Sequence, residues 1–352
     1  MTLAALAPSK RNGPNPKDSM KSTWRRDRSQ WGLAHYLLHF VNGFATELDK
    51  DVPVHPKTDK VPRLNDLSCH VYILLHAAWP MAIQYAYTWY TGYGLNPVAA
   101  FFLYTVAFRV NVIHEVHIIR RLGHIVGFLD GDKHERDEVP DVGVSKTLAS
   151  VLLTTGVRPL FTVFLAYRRS DPITLSPWLP IELALYSIVL DFWFYIYHRS
   201  CHEISGLWKF HRTHHLTKHP TALLSSYADA EQETLEIALI PLATYAVLKL
   251  IGLPMSFHSW WICHEYLIFT EAFGHSGLRL RGTPPGTAGF LLRFFDAELV
   301  GEDHDMHHRN GWRKSHNYGK QTLLWDRVFG TVGERIECKD ENLEGEVWFP
   351  LI

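Results

Sequence analysis

A chain of 352 residues with a formal net charge of −1 carries neither the basic field of a nucleic-acid binder nor the acidic run of a solvated tail. Its four cysteines, Cys69, Cys201, Cys263 and Cys338, have no paired spacing, so neither a zinc ribbon nor a disulfide framework can be read from them. A mean hydropathy of −0.09 argues against a chain buried in a membrane from end to end; apolar spans joined to a substantial water-facing part fit better.

Residues 1–67 are polar, with Lys10, Arg11, Lys17, Lys21, Arg25, Arg26 and Arg28 and only a short apolar patch at 31–40. They are expected to form an N-terminal tail, partly flexible or peripheral, without a cleavable signal peptide. Residues 68–352 are expected to form the body. Apolar segments follow at about 68–90, 95–118, 147–166, 178–197, 235–251 and 254–272. A helix of some 20 residues crosses a ~30 Å hydrocarbon core, which predicts an all-α integral membrane bundle of four to six apolar helices. The last two segments meet at Gly252-Leu253-Pro254, a natural turn. Arg120, Arg121, Arg199, Lys209, Arg212, Lys218, Arg279, Arg281, Arg293, Arg309, Arg313 and Lys314 fall on one side if the spans pair as hairpins, with Arg168 and Arg169 on the other. The richer side is then cytosolic. A soluble all-α enzyme with buried helices is the alternative reading of the same segments.

Histidine is the anomaly, with 22 residues in all. Segment four ends in Asp191-Phe-Trp-Phe-Tyr-Ile-Tyr-His198-Arg-Ser-Cys-His202. Histidines four apart share a helix face and can grip one metal. Asp191, two turns back from His198, is placed to orient a ligand. His211-Arg-Thr-His214-His215 and His304-Asp-Met-His307-His308 repeat one HxxHH spacing. One HxxxH is weak evidence, whereas two HxxHH motifs are rare by chance. Isolated histidines, His35, His39, His55, His70, His76, His114, His117, His134, His258 and His264, read as ordinary satisfied side chains. Eight imidazoles in three clusters do not, because charged they repel and neutral they waste burial. A metal removes that cost. Neutral imidazole suits iron, zinc and copper alike, but eight or more nitrogens exceed the four that one structural zinc takes. Two ions are therefore expected. The apolar hairpin 235–272 leaves and returns on one side, so all three clusters can meet at the membrane surface.

At these residues the chain resembles the fatty acid hydroxylase superfamily, which includes sterol desaturases and 4-methylsterol oxidases, over roughly 178–332. Asp191 to His202 is similar to the first box, Trp208-Lys209-Phe210-His211-Arg212-Thr213-His214-His215 to the second, and Asp303-His304-Asp305-Met306-His307-His308 to the third. His316-Asn317-Tyr318-Gly319 and Trp325-Asp326-Arg327-Val328-Phe329-Gly330-Thr331 resemble the closing signature. Gly274-His275-Ser276-Gly277 is similar to a His-Ser-Gly segment of methylsterol oxidases, which implies His275 as a further ligand. Tyr227-Ala228-Asp229 stands where many relatives have histidine and proline, leaving Asp229 as an auxiliary carboxylate.

The resemblance implies a cytosolic di-metal cap in the endoplasmic reticulum membrane. It also implies electrons from NAD(P)H through a b-type cytochrome and its reductase. The resulting expectation is a di-iron, O2-dependent oxygenase acting on a hydrophobic, lipid-like substrate. Its irons would be held by His198, His202, His211, His214, His215, His275, His304, His307 and His308, with Asp191 and Asp229 beside them. Substrate is expected through a slot lined by Trp193, Phe194, Tyr197, Trp260 and Trp261. The rivals are a histidine-rich membrane metal transporter or metal sensor, whose ligands would sit near the midplane, and a soluble structural zinc protein.

Overall fold

The computed structural model describes residues 15–131, 137–313 and 315–352. Lys10, Arg11, His134 and Lys314 lie outside them. The fold is mostly helical: α1 (Leu33–Val41), α2 (Asp66–Thr91), α3 (Pro97–Val126), α4 (Val144–Phe161), α5 (Leu179–Glu203), α6 (Ile240–Leu250), α7 (Phe257–Gly274), α8 (Gly289–Phe294), α9 (Gly301–Asn310) and α10 (Leu324–Phe329). Wider π-helical stretches extend α4 through Thr162–Ala166 and lead into α6 over Thr234–Leu239. One two-stranded parallel sheet joins β1 (Val61–Leu64) to β2 (Leu343–Val347).

Helix limits follow from local chemistry. The side chain of Asn65 accepts from the Ser68 amide to start α2, and Gly92 ends that helix at φ +75°. Asn96 caps α3 in the same way, with Pro97 in the first turn, where its missing N–H costs nothing. Among the described residues three helices are long and apolar enough to cross a membrane: Pro97–Val126, Val144–Ala166 and Leu179–Glu203. α2 has 26 residues but is outside that set. These helices turn apolar side chains outward, among them Phe102, Val106, Val110, Leu152, Leu153, Phe164, Leu165 and Ile196. Such a belt suits lipid rather than water. α1 likewise exposes Leu33, Tyr36, Leu37 and Phe40 while burying Leu38.

α7 is the central post. Its residues from Phe257 to Phe273 are all buried, the polar His258, His264, Glu265 and Glu271 included, so neighbours cover it on every side. Trp260 stacks on Tyr245 with ring centroids 3.9 Å apart, and Trp261 meets Tyr104 edge-on at 4.8 Å. Each large buried ring contributes roughly 1.5–3 kcal/mol. These two tryptophans are core, not the lining of a substrate slot.

Successive helices run up and down. At one end the α2–α3 turn meets the α4–α5 loop, where Arg169 donates to the Gly94 carbonyl at 2.8 Å and Tyr167 to that of Leu95 at 2.8 Å. At the other end the Leu129 amide donates to Gly277 at 2.8 Å and the Arg279 amide to Gly127 at 2.9 Å. The C-termini of α3, α5 and α7 gather there, so the α6–α7 hairpin returns its chain to the end it left.

The segment expected to be a polar tail contributes buried structure from residue 15 on. Trp24, Leu38 and Phe44 pack with Val139, Val144, Leu223, Leu224 and Tyr227. Asp141 accepts from the Thr23 and Trp24 amides at 2.7 and 2.8 Å.

Candidate metal centre

The final turns of α5 carry His198 and His202 inward, both buried. The chain then reverses through short 3-10 turns that hold His211, His214 and His215, and α9 brings His304, His307 and His308 from the opposite side. His275 caps the C-terminus of α7. These nine side chains form two neighbouring groups: His198, His202, His211, His215 and His307 in one, His214, His275, His304 and His308 in the other. Within each, the candidate ligand atoms lie within 4.8 Å of one another.

Each HxxHH motif is divided between the groups. His211 and His215 serve the five-membered group and His214 the other; His304 and His308 serve the four-membered group and His307 the first. The two motifs therefore lace the groups together, and His215 stacks on His308 with centroids 4.5 Å apart.

The donor geometry suits metal ions. The Nε2 atom of His215 lies 3.1 Å from that of His202, 3.0 Å from that of His211 and 3.1 Å from that of His307. A neutral imidazole nitrogen either donates one hydrogen or offers one lone pair, so three such contacts cannot all be hydrogen bonds. In the second group Nε2 of His275 is 3.2 Å from that of His214 and 2.9 Å from that of His304. Nitrogens about 2.1 Å from one ion stand ~3.0–3.4 Å apart, so nitrogens this close together suit shared coordination.

The other ring nitrogens fix the tautomer. Nδ1 of His198 donates to the Tyr318 carbonyl (2.9 Å), that of His275 to Glu271 (2.8 Å), that of His307 to His316 (2.7 Å) and that of His308 to Thr217 (3.2 Å). Each then carries its hydrogen on Nδ1 and turns the Nε2 lone pair into its group. Burial first, and neighbouring imidazoles second, hold His211, His214, His215, His304, His307 and His308 well below the ordinary histidine value. Burial, helped by Lys320, takes His275 down to about 4. Neutral imidazole is the form a metal binds.

The two nominated carboxylates stand apart from both groups. Asp191 is fully buried and accepts from the Lys320, Gln321 and Thr322 amides at 2.6, 2.9 and 3.2 Å and from the Thr322 hydroxyl at 2.7 Å. It pins the loop whose Tyr318 carbonyl orients His198, so its influence on the ring is indirect. Asp326 completes the clasp, accepting from the Tyr318 and Gly319 amides, both at 2.8 Å. Gly319 has to be glycine: a Cβ there would meet the Thr322 carbonyl oxygen at 2.1 Å. Asp229 pairs with Lys146 and accepts from the Thr213 hydroxyl, bracing the residue before His214.

Several contributors carried no distinctive sequence signal. Glu302 accepts from three successive amides, Ile336 to Cys338, at 3.1, 2.8 and 2.7 Å, and Asp303 binds Arg335 through both oxygens at 2.8 and 2.7 Å. Together they lock α9 in place. Lys320, itself buried, bonds Glu236 at 3.1 Å and Glu271 at 3.2 Å, and Glu271 bonds Arg158 at 2.7 Å. Of the expected slot, Phe194 touches His198 with ring centroids 4.9 Å apart and Tyr197 touches His211 at 6.3 Å, while Trp193 points outward.

Among the described residues, the histidines read as ordinary stay out of the groups. His70 bonds the Tyr266 hydroxyl at 2.8 Å, His264 the Thr162 hydroxyl at 2.9 Å, and His76 and His114 bond each other at 2.9 Å.

Comparison with known proteins agrees with this geometry. Residues 183–331 match the fatty acid hydroxylase family. A fatty acid hydroxylase from Lecanicillium sp, vlmA, is 43% identical over 309 residues, covering 83% of this chain and 84% of that protein. This chain belongs to the fatty acid hydroxylase family. More distant relatives include a very-long-chain aldehyde decarbonylase, GL1-8, of Oryza sativa subsp. indica (28% identical, 73% of this chain and 91% of that protein). A methylsterol monooxygenase, 2-1, of Arabidopsis thaliana is 26% identical over 73% of this chain and 94% of that protein. No solved structure matches. The family places the chain among membrane-bound, metal-dependent oxidoreductases that act on lipids.

Proposed function

We propose that the protein is a di-iron oxygenase that inserts oxygen into, or removes hydrogen from, a C–H bond of a lipid-like substrate. The observation that carries this reading is the division of both HxxHH motifs between two adjacent imidazole groups, an arrangement that one structural ion would not need. An iron pair bound there supplies what side chains lack, activation of O2 toward an unreactive C–H bond.

The chain's own residues position and shield. Nine neutral imidazoles hold the pair, and the carbonyls of Thr217, Glu271, His316 and Tyr318 keep four of them facing inward. Asp191 and Asp326 keep the 318–322 loop in register. Phe194 and Tyr197 stand where a substrate chain would approach between helices.

A fatty-acyl chain is the favoured substrate among fatty-acyl, sterol and triterpenoid candidates, because of the name borne by the Lecanicillium relative. The site sits at one end of the bundle, at the proposed cytosolic face of the endoplasmic reticulum membrane, within reach of a b-type cytochrome fed from NAD(P)H. That location also argues against a transporter, whose ligands belong near the midplane.

The test is expression with a redox partner and mass spectrometry of lipid extracts. Gain of one oxygen atom is expected for hydroxylation and loss of two hydrogens for desaturation. An unchanged lipid profile from protein with a full metal complement would contradict the reading.

A further inference from the structure

A stacked pair of tryptophans joins the five-histidine group to the surface. The Trp208 ring packs against His202 with centroids 5.1 Å apart and against His215 at 5.5 Å. On its other side it stacks on Trp312, at 5.7 Å with the planes 12° apart. Trp312 is 38% exposed. An exposed indole is usually an interface residue, and this one is continuous through a second ring with two imidazoles of the site.

The surroundings are basic. The Arg313 guanidinium lies over the Trp312 ring, 4.4 Å from its centroid, and bonds the Ser205 hydroxyl. Lys218 reaches Gly311, where a Cβ would meet its ammonium at 2.7 Å, and Lys209 is exposed beside Trp208. Two carboxylates nearby are matched: the exposed Glu203 by Arg199 at 2.7 Å and the half-buried Asp18 by Arg212 at 2.6 Å. Lys209, Lys218 and Arg313 have no ion-pair partner among the described residues. The patch is thus an aromatic centre rimmed by unmatched positive charge.

We propose that this patch is the docking surface for a small acidic one-electron carrier protein, and that Trp312 and Trp208 are the route by which its electrons enter the site. The proposal rests on the reading that the histidine groups hold redox-active metal. In each transfer the carrier's reduced centre would lose one electron to a metal ion that His202 and His215 would help to hold. No bond forms or breaks. Two encounters deliver the pair of electrons that one O2-dependent turnover requires. Positive charge around the indole steers an acidic carrier and orients it, an effect expressed in the association rate and its salt dependence.

The experiment is anaerobic stopped-flow mixing of metal-loaded full-length protein with a reduced, soluble, acidic b-type cytochrome, following haem reoxidation. Metal content and reduction by dithionite are measured in parallel. W312A and the double reversal K209E/R313E should each slow reoxidation by about tenfold or more, and W312F should restore most of the rate. Raising salt should slow the wild type and W312A but leave K209E/R313E nearly unaffected. Metal content and dithionite reduction should stay at wild-type levels in all variants. Reoxidation at the wild-type rate in both W312A and K209E/R313E would overturn the docking surface and the route. Wild-type protein that carries no metal would instead overturn the reading beneath them.

Discussion

The helices of the bundle and the cap at their end use histidine differently. Within the helices, each ring is settled by a hydroxyl, a carbonyl or one other ring: His70 by Tyr266, His264 by Thr162, His76 by His114 and the Tyr72 carbonyl. At the α5 and α7 C-termini, Nε2 atoms face several others at once, at 2.9–3.2 Å, while carbonyls hold Nδ1 of four rings. Burial is common to both regions and so separates nothing. What separates them is crowding of imidazole nitrogens: Nε2 of His215 faces three others and that of His275 two, whereas His76 meets one other ring and His70 and His264 bond a hydroxyl.

The largest effect should come from substitution across this divide. His214→Ala or His308→Ala should lower turnover by about three orders of magnitude or more and reduce bound metal. His70→Ala should keep the metal complement and most activity. Metal analysis beside a product assay checks the contrast, and equal losses in all three variants would erase it.

Acid should act on the same region. The folded chain holds its cap histidines below the ~6.5 of an unfolded histidine, with His275 at about 4. The unfolded chain then binds more protons, so stability is fully present above pH ~6.5 and is lost as pH falls toward 4, by ~1.4 kcal/mol per pH unit for each ring that stays neutral. Denaturation midpoints of metal-free protein between pH 7 and 5 should fall steeply. A flat profile would mean that the rings are already charged.

Asp191→Ala should weaken metal binding by about 10- to 100-fold, since it frees the loop that orients His198 without removing a ligand. Smallest of all, Asp229→Asn should change stability by under ~1 kcal/mol, as expected for a partly exposed ion pair, and leave metal content intact. Metal loss in this variant would bring Asp229 into the ligand set. Competition with a chelator reports both.

Much of this was legible from spacing. Helix positions followed from apolar runs, and convergence of the three clusters followed from a hairpin that returns to its own side. Partnership was not legible. Asp191 is two turns from His198 and could have faced it, but only the fold reveals that its oxygens meet the 320–322 amides. Trp260 and Trp261 look like slot residues until α7 proves buried all round. Trp24 was hidden among arginines that break any periodicity, and Leu38 sat in a short apolar patch whose partners are distant in sequence. The division of the first HxxHH between two groups depends on the tight turns at 208–216, and that of the second on how α9 is seated between the groups, neither of which motif spacing encodes.

The most direct measurement is metal stoichiometry with X-ray absorption on purified, active protein. Two iron ions per chain in shells of imidazole nitrogen are expected, with both occupancies reduced by His215→Ala through the shared motif. Full activity with no metal, or with one tetrahedral zinc, would contradict the account.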